Sequence, residues 1–84
     1  MFVVYVLYSP AFNKTYTGYT ADLQKRLLSH NQLATKGFTI KFRPWVLIYS
    51  QQFQTKTQAI KKEKELKMGK GRAFIQNLIK EKYS

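Results

Sequence analysis

No cysteine occurs in the 84 residues, so disulfide staples, thiolate metal sites and a cysteine nucleophile are excluded together, and the chain suits a reducing compartment. His30 is the one histidine, which removes any site that needs several imidazoles. Acid is almost as scarce. Asp22, Glu63, Glu65 and Glu81 are the whole supply, too few for the converging carboxylates of a two-metal centre. The apolar run Trp45 to Tyr49 is far too short to span a bilayer, and Phe2 to Leu7 lacks the basic lead and small-residue cleavage site of a secretory signal. The expectation is one small, soluble, cytoplasmic domain without membrane partners.

What the sequence has in excess is positive charge. Fifteen Lys and Arg against four acids give a formal net charge of +11 and a pI of about 10.1. Such an excess calls for a polyanionic partner, most often nucleic acid. Twelve of the fifteen bases are Lys, hydrated point charges suited to phosphates rather than to bidentate reading of base edges. Hydrophobic residues at 44% and aromatics at 15% supply a core and rule out a disordered tail.

Residues 2–8 are β-branched, leucine and aromatic without polar interruption, the pattern of a strand buried on both faces. Turn residues follow at 9–13. A short second strand over 14–17 ends at Gly18 and completes a hairpin. Thr20 is placed to cap a helix with Asp22 in its first turn. Leu23, Leu27 and His30 form one stripe of that helix, which runs to about Asn31. A polar, basic loop is expected over 32–43. Pro44 then opens a third strand, Trp45 to Tyr49. Thr57 is read as the cap of a second helix carrying Ala59, Ile60 and Leu66 and ended by Gly69 and Gly71. A last helix from about Arg72 turns Phe74, Ile75, Leu78 and Ile79 inward. The order β-β-α-β-α-α predicts an α/β domain of the α+β type, a three-stranded antiparallel sheet flanked by three helices.

Few residues can carry chemistry. Glu63 lies at i+4 from Ala59 and is followed by Leu66 on the inward stripe of its helix. Glu65 is rotated off that stripe, and Glu81 falls in the last turn. A lone Glu among Lys61, Lys62, Lys64 and Lys67 most often pairs with one of them, yet one inward acid suffices for one Mg²⁺ completed by waters and phosphate oxygens. Arg26 and His30, one helical turn apart, read either as a cationic pair for a phosphate or as a snorkelling Arg beside a core histidine. Tyr5 and Tyr16 sit on the hairpin strands and Tyr19 follows Gly18. Each is a core phenol or, with cations nearby, a group that handles a water's proton.

The ordered series Val3-Val4-Tyr5, Tyr16-Thr17-Gly18, Lys25-Arg26-Leu27 with His30-Asn31, and Ala59-Ile60-Lys61-Lys62-Glu63 resembles the GIY-YIG nuclease family. It is most like the small stand-alone members, which are similar to the N-terminal nuclease domain of the bacterial excision-repair incision subunit. The resemblance runs from about Val3 to Leu78. It implies a metal-dependent endonuclease that hydrolyses DNA phosphodiester bonds, in repair or recombination; because Lys outnumbers Arg, a preference for DNA structure, branched or nicked, over sequence is expected. Under it Tyr5, Tyr16, Arg26, His30, Glu63 and Asn77 are the catalytic set. Glu63 is the ligand of one Mg²⁺ or Mn²⁺, and the base is Tyr5 or Tyr16. Lys14, Tyr19, Lys25 and Lys41 are expected to meet the nucleic acid. Three positions depart from the family pattern: Val3 replaces a glycine, Thr17 an isoleucine and Tyr19 a lysine, with Lys14 or Lys41 available to restore the lost charge. The rival expectations are a nucleic-acid-binding module of the same fold without catalysis and a ribosome-associated RNA binder.

Overall fold

A computed structural model describes residues 1–33 and 37–83. Three strands, β1 (Phe2–Ser9), β2 (Lys14–Thr20) and β3 (Val46–Phe53), form one antiparallel sheet in the order β2-β1-β3. The unbroken apolar run of β1 takes the central place because both of its faces are covered. Val4, Val6 and Tyr8 face a core with Ile48, Ala59, Leu66, Ile75 and Ile79. Tyr5 and Leu7, of the opposite parity, face a second core with Trp45. The pairing of β1 with β3 slips between Val6 and Leu7, so that Val6 faces Tyr49 and Leu7 faces Leu47. Ile48 is thereby the extra residue of a bulge. The α+β architecture and the element order are those the sequence leads one to expect.

Helices α1 (Leu23–Leu28), α2 (Lys56–Leu66) and α3 (Gly69–Tyr83) complete the fold. After α1 the chain passes through a π-helical turn at Ser29–Leu33, and a 3-10 turn at Phe38–Phe42 leads into β3. Several boundaries differ from the expected ones for local reasons. Strand β2 runs through Gly18 to Thr20, because Gly18 lies opposite Tyr5 and leaves room for its ring. Asp22, not Thr20, caps α1: its carboxylate accepts the Lys25 N–H at 3.1 Å, while Thr20 Oγ1 accepts the Asp22 N–H. Thr55, not Thr57, caps α2, in a reciprocal box with Gln58 that satisfies two otherwise orphaned N–H groups.

Gly69 and Gly71 do not end α2. They form the first turn of α3, which begins three residues before Arg72. A Cβ on Gly71 would lie 2.2 Å from the Glu65 carbonyl oxygen, so this glycine is what lets α3 start against the end of α2. Ile75 and Ile79 are buried as expected, but Phe74 is 42% exposed and Leu78 only half-buried. Strand β3 begins one residue after Trp45 and continues to Phe53. Of the loop expected over 32–43, residues 34–36 lie outside the described residues and 38–42 are the 3-10 turn.

Candidate functional site

The site is built where β1, β2, α1 and α2 meet. The period-2 alternation of the hairpin aims Tyr5, Tyr16 and Gly18 to one side, and the register places Tyr5 opposite Gly18. Tyr5 is fully buried. Its ring centroid lies 6.2 Å from that of Tyr16. A Cβ at position 18 would stand 2.9 Å from the Tyr5 hydroxyl and 3.1 Å from the Tyr16 ring, so the absence of a side chain there opens the space beside both phenols.

His30 lies behind the two phenols, with its ring 4.8 Å from Tyr16 and 5.8 Å from Tyr5. Its Nε2 and the Tyr5 hydroxyl are hydrogen-bonded at 2.9 Å, and its Nδ1 and Thr39 Oγ1 at 3.1 Å. The ring is 6% exposed. Burial, with the Arg26 and Arg43 cations adding to it, pushes its pKa below the usual histidine range. His30 is therefore a neutral imidazole in which one nitrogen donates and the other accepts. The reading of Arg26 and His30 as a cationic pair is corrected: only Arg26 carries charge, and His30 holds Tyr5 from behind instead of facing a phosphate.

The second core locks this histidine in place. Arg43 donates from Nη2 to the Ser29 carbonyl at 3.0 Å and from Nε to that of His30. The Asn31 side chain exchanges hydrogen bonds with both backbone groups of Trp45, at 2.7 and 3.2 Å. The Trp45 indole N–H donates to the Thr39 carbonyl at 2.8 Å. Buried polar groups held this way are paired rather than stranded.

In front of the phenols lies a cleft of about 390 Å³ whose lining includes Tyr5, Tyr16, Tyr19, Arg26, Glu63 and Lys67. Helix α2 brings Glu63 there. Ala59 and Leu66 on the same stripe are buried in the core, so Glu63 is turned inward at the sheet edge, its side chain 16% exposed. Lys67, one turn on, donates from Nζ to Glu63 Oε1 at 2.6 Å. The two sequence expectations for Glu63, a lysine partner and an inward acid, hold together. Arg26 is exposed on α1 and sits beside the Tyr5 hydroxyl, which raises the guanidinium's own pKa. Burial pushes the Tyr5 phenol above its ordinary value, with the Arg26 cation opposing that shift.

Four of the six residues expected to be catalytic, Tyr5, Tyr16, Arg26 and Glu63, thus line one cleft, and His30 supports it from below. Asn77 does not join them: it is exposed on α3 and absent from the cleft lining. Of the residues expected to meet nucleic acid, Tyr19 lines the cleft, whereas Lys14, Lys25 and Lys41 are exposed elsewhere. Lys14 stands 5.7 Å from the centroid of the Phe42 ring. Sequence reasoning missed Thr39, Arg43 and the opening made by Gly18. For the first two no local pattern exists, because their partners in the π-helical turn lie 9 to 14 residues away.

Among the described residues no group of three His, Cys, Asp or Glu could enclose a metal ion, and no helix is long and apolar enough to cross a membrane. What the cleft offers a cation is one carboxylate with phenol oxygens nearby. That donor set suits a hard ion that keeps most of its waters and does not form a closed protein cage.

The chain is 42% identical over 52 residues to a UPF0213 protein of Staphylococcus saprophyticus, covering 62% of this chain and 63% of the relative. It is 38% identical over 55 residues to one of Staphylococcus haemolyticus, covering 66% and 67%. Against one of Bacillus velezensis it is 42% identical over 55 residues, covering 66% and 56%. The match to the first of these relatives therefore spans less than two thirds of its length. No solved structure gives a significant match. Residues 1–77 match the GIY-YIG catalytic domain, and the chain accordingly belongs to the GIY-YIG family of nucleases.

Proposed function

We propose that the protein is an endonuclease that hydrolyses DNA phosphodiester bonds with the help of one divalent cation, Mg²⁺ or Mn²⁺, held by Glu63. The observation that carries this reading is the single inward carboxylate sharing a cleft with two phenols and a guanidinium. The cation, when bound, supplies Lewis-acid polarisation of the phosphate. Arg26 donates to the phosphate oxygens and offsets charge that develops as the phosphorus becomes five-coordinate.

The two phenols divide the remaining work. Tyr5 is fully buried, its phenol bonded to His30 and pushed up in pKa by burial, so it keeps its proton and fixes the floor of the cleft. Tyr16 is the hairpin phenol that remains partly open to solvent in the cleft, and its hydroxyl orients the attacking water, whose proton is released to the solvent as the oxygen attacks phosphorus. Lys67 holds the Glu63 carboxylate in the resting protein and gives way to the cation. With no base-reading fork in the cleft other than Arg26, recognition favours the shape of branched or nicked DNA, the kind of substrate met in repair and recombination, over its sequence.

Glu63→Gln keeps the shape of the side chain and removes its charge. Mg²⁺-dependent nicking should fall at least a hundredfold while DNA binding stays equal or improves. Cleavage by this variant at the wild-type rate would refute the assignment, and cleavage that persists in EDTA would refute the cation's part in it.

A further inference from the structure

A second cavity, of about 420 Å³, adjoins the cleft. It shares Tyr16, Thr17 and Lys67 with the cleft and extends to Thr15, Arg72 and Gln76. Lys67 thus stands on the wall between the two. The second cavity has two cations and two threonine hydroxyls on its lining and no carboxylate.

Arg72 is held in a particular way. Its Nε donates to the Lys67 carbonyl at 3.0 Å, at the end of α2, and its backbone N–H donates to the Met68 carbonyl at 2.8 Å. Among the described residues nothing pairs with its two terminal nitrogens. One edge of the guanidinium is therefore anchored and the rest of the fork is open. This is the pre-organised form in which Arg grips a phosphate with parallel hydrogen bonds at little entropic cost. Of the three arginines, Arg26 lies in the cleft and Arg43 is turned onto the carbonyls behind His30. Arg72 is the third, and it faces this groove.

We propose that the groove is a second phosphate subsite, in which Arg72, with Lys67, holds a neighbouring backbone phosphate of the strand whose scissile phosphate lies against Glu63 and Arg26. It rests on the nuclease reading and adds to it the direction in which the strand leaves the cleft: across Thr17 and along the junction of α2 and α3. The ligand is a phosphodiester backbone, recognised without regard to base.

Equilibrium binding to a short fluorescently labelled DNA duplex, measured in EDTA so that no cleavage occurs, tests the proposal. Arg72→Gln should weaken binding roughly five- to tenfold at moderate salt and lower the slope of log K against log salt by about 0.9, the value for one lost phosphate contact. Arg72→Lys, which keeps the charge and loses the fork, should keep the slope. Replacing single phosphates by uncharged methylphosphonates should reveal one position whose loss weakens the wild type but not Arg72→Gln. Wild-type affinity and slope in Arg72→Gln would overturn the subsite. If Arg72→Gln unfolds, the phosphate scan on Arg72→Lys decides: the same position should cost that variant less, and an equal cost overturns the proposal. Because no cleavage is read, a failed subsite and a failed Glu63 assignment give separate results. A wild type that binds no nucleic acid overturns the nucleic-acid reading and the subsite together.

Discussion

The single histidine is buried away from solvent. A buried imidazole packed behind Tyr5 and Tyr16, with the Arg26 and Arg43 cations near it, has a pKa below that of the unfolded chain. The unfolded state therefore binds a proton first as pH falls. His30 should then contribute full stability above about pH 6.5, its unfolded value. That contribution should decline as pH drops from there toward the folded pKa. Urea melts of wild type and His30→Gln between pH 7.5 and 5 check this: the variant's stability should be lower at the top of the range and flatter across it. Parallel profiles would show that the ring is not held neutral. The same residue explains why a histidine can belong to a cleft and never touch what binds there. It acts on Tyr5, and Tyr5 shapes the floor.

At the scale of the element, two glycines two residues apart on α3, and so on opposite faces of it, make opposite demands. Gly71 sits against the last turn of α2, where a Cβ would meet the Glu65 carbonyl at 2.2 Å and the Leu66 Cα at 2.4 Å. Backbone cannot yield as a flexible side chain does, so Gly71→Ala should destabilise by about 1–3 kcal/mol and disturb the α2–α3 angle that carries Arg72. Nothing lies within 4 Å of the corresponding position on Gly69. Gly69→Ala should therefore stabilise by about 0.4–1 kcal/mol through the unfolded chain. Thermal melts of the two variants should move in opposite directions, and equal shifts would mean that close helix approach is not what Gly71 provides. The register of α2 matters for the same reason. Ala59 and Leu66 in the core fix its rotation, and that rotation brings Glu63 to the cleft.

At the scale of the whole molecule the governing quantity is a net charge of +11 on 84 residues. Folded into extents of 33 × 29 × 18 Å, that charge cannot be dispersed, and it supplies affinity for any polyanion before the cleft discriminates. DNA binding should therefore fall log-linearly with salt, losing at least about tenfold on a few-fold rise in ionic strength as counterions are retained. Titrations of Glu63→Gln at several salt concentrations check this without cleavage. Affinity that is independent of salt would show that contacts between cations and phosphates do not supply the binding.

The sequence by itself determined most of the architecture. The run from Phe2 to Tyr8 dictated a strand covered on both faces, and the stripe through Ala59 and Leu66 dictated an inward helix face. Leu23 and Leu27 pack inward from α1, but the helix expected to reach Asn31 ends at Leu28 and His30 lies in the π-helical turn. Solvent exclusion imposes such patterns on any fold that uses these residues. Cap positions were less legible, because Thr20, Asp22, Thr55 and Thr57 are chemically near-equivalent and only the entering backbone selects among them. The cleft was legible in its members Tyr5, Tyr16, Arg26 and Glu63. Only the tertiary structure decided that His30 is neutral and supporting, that Asn77 stands apart, and that Lys67 joins the cleft to the Arg72 groove. Charge state and adjacency depend on desolvation and on distances across elements, which exist only once the chain has closed around them.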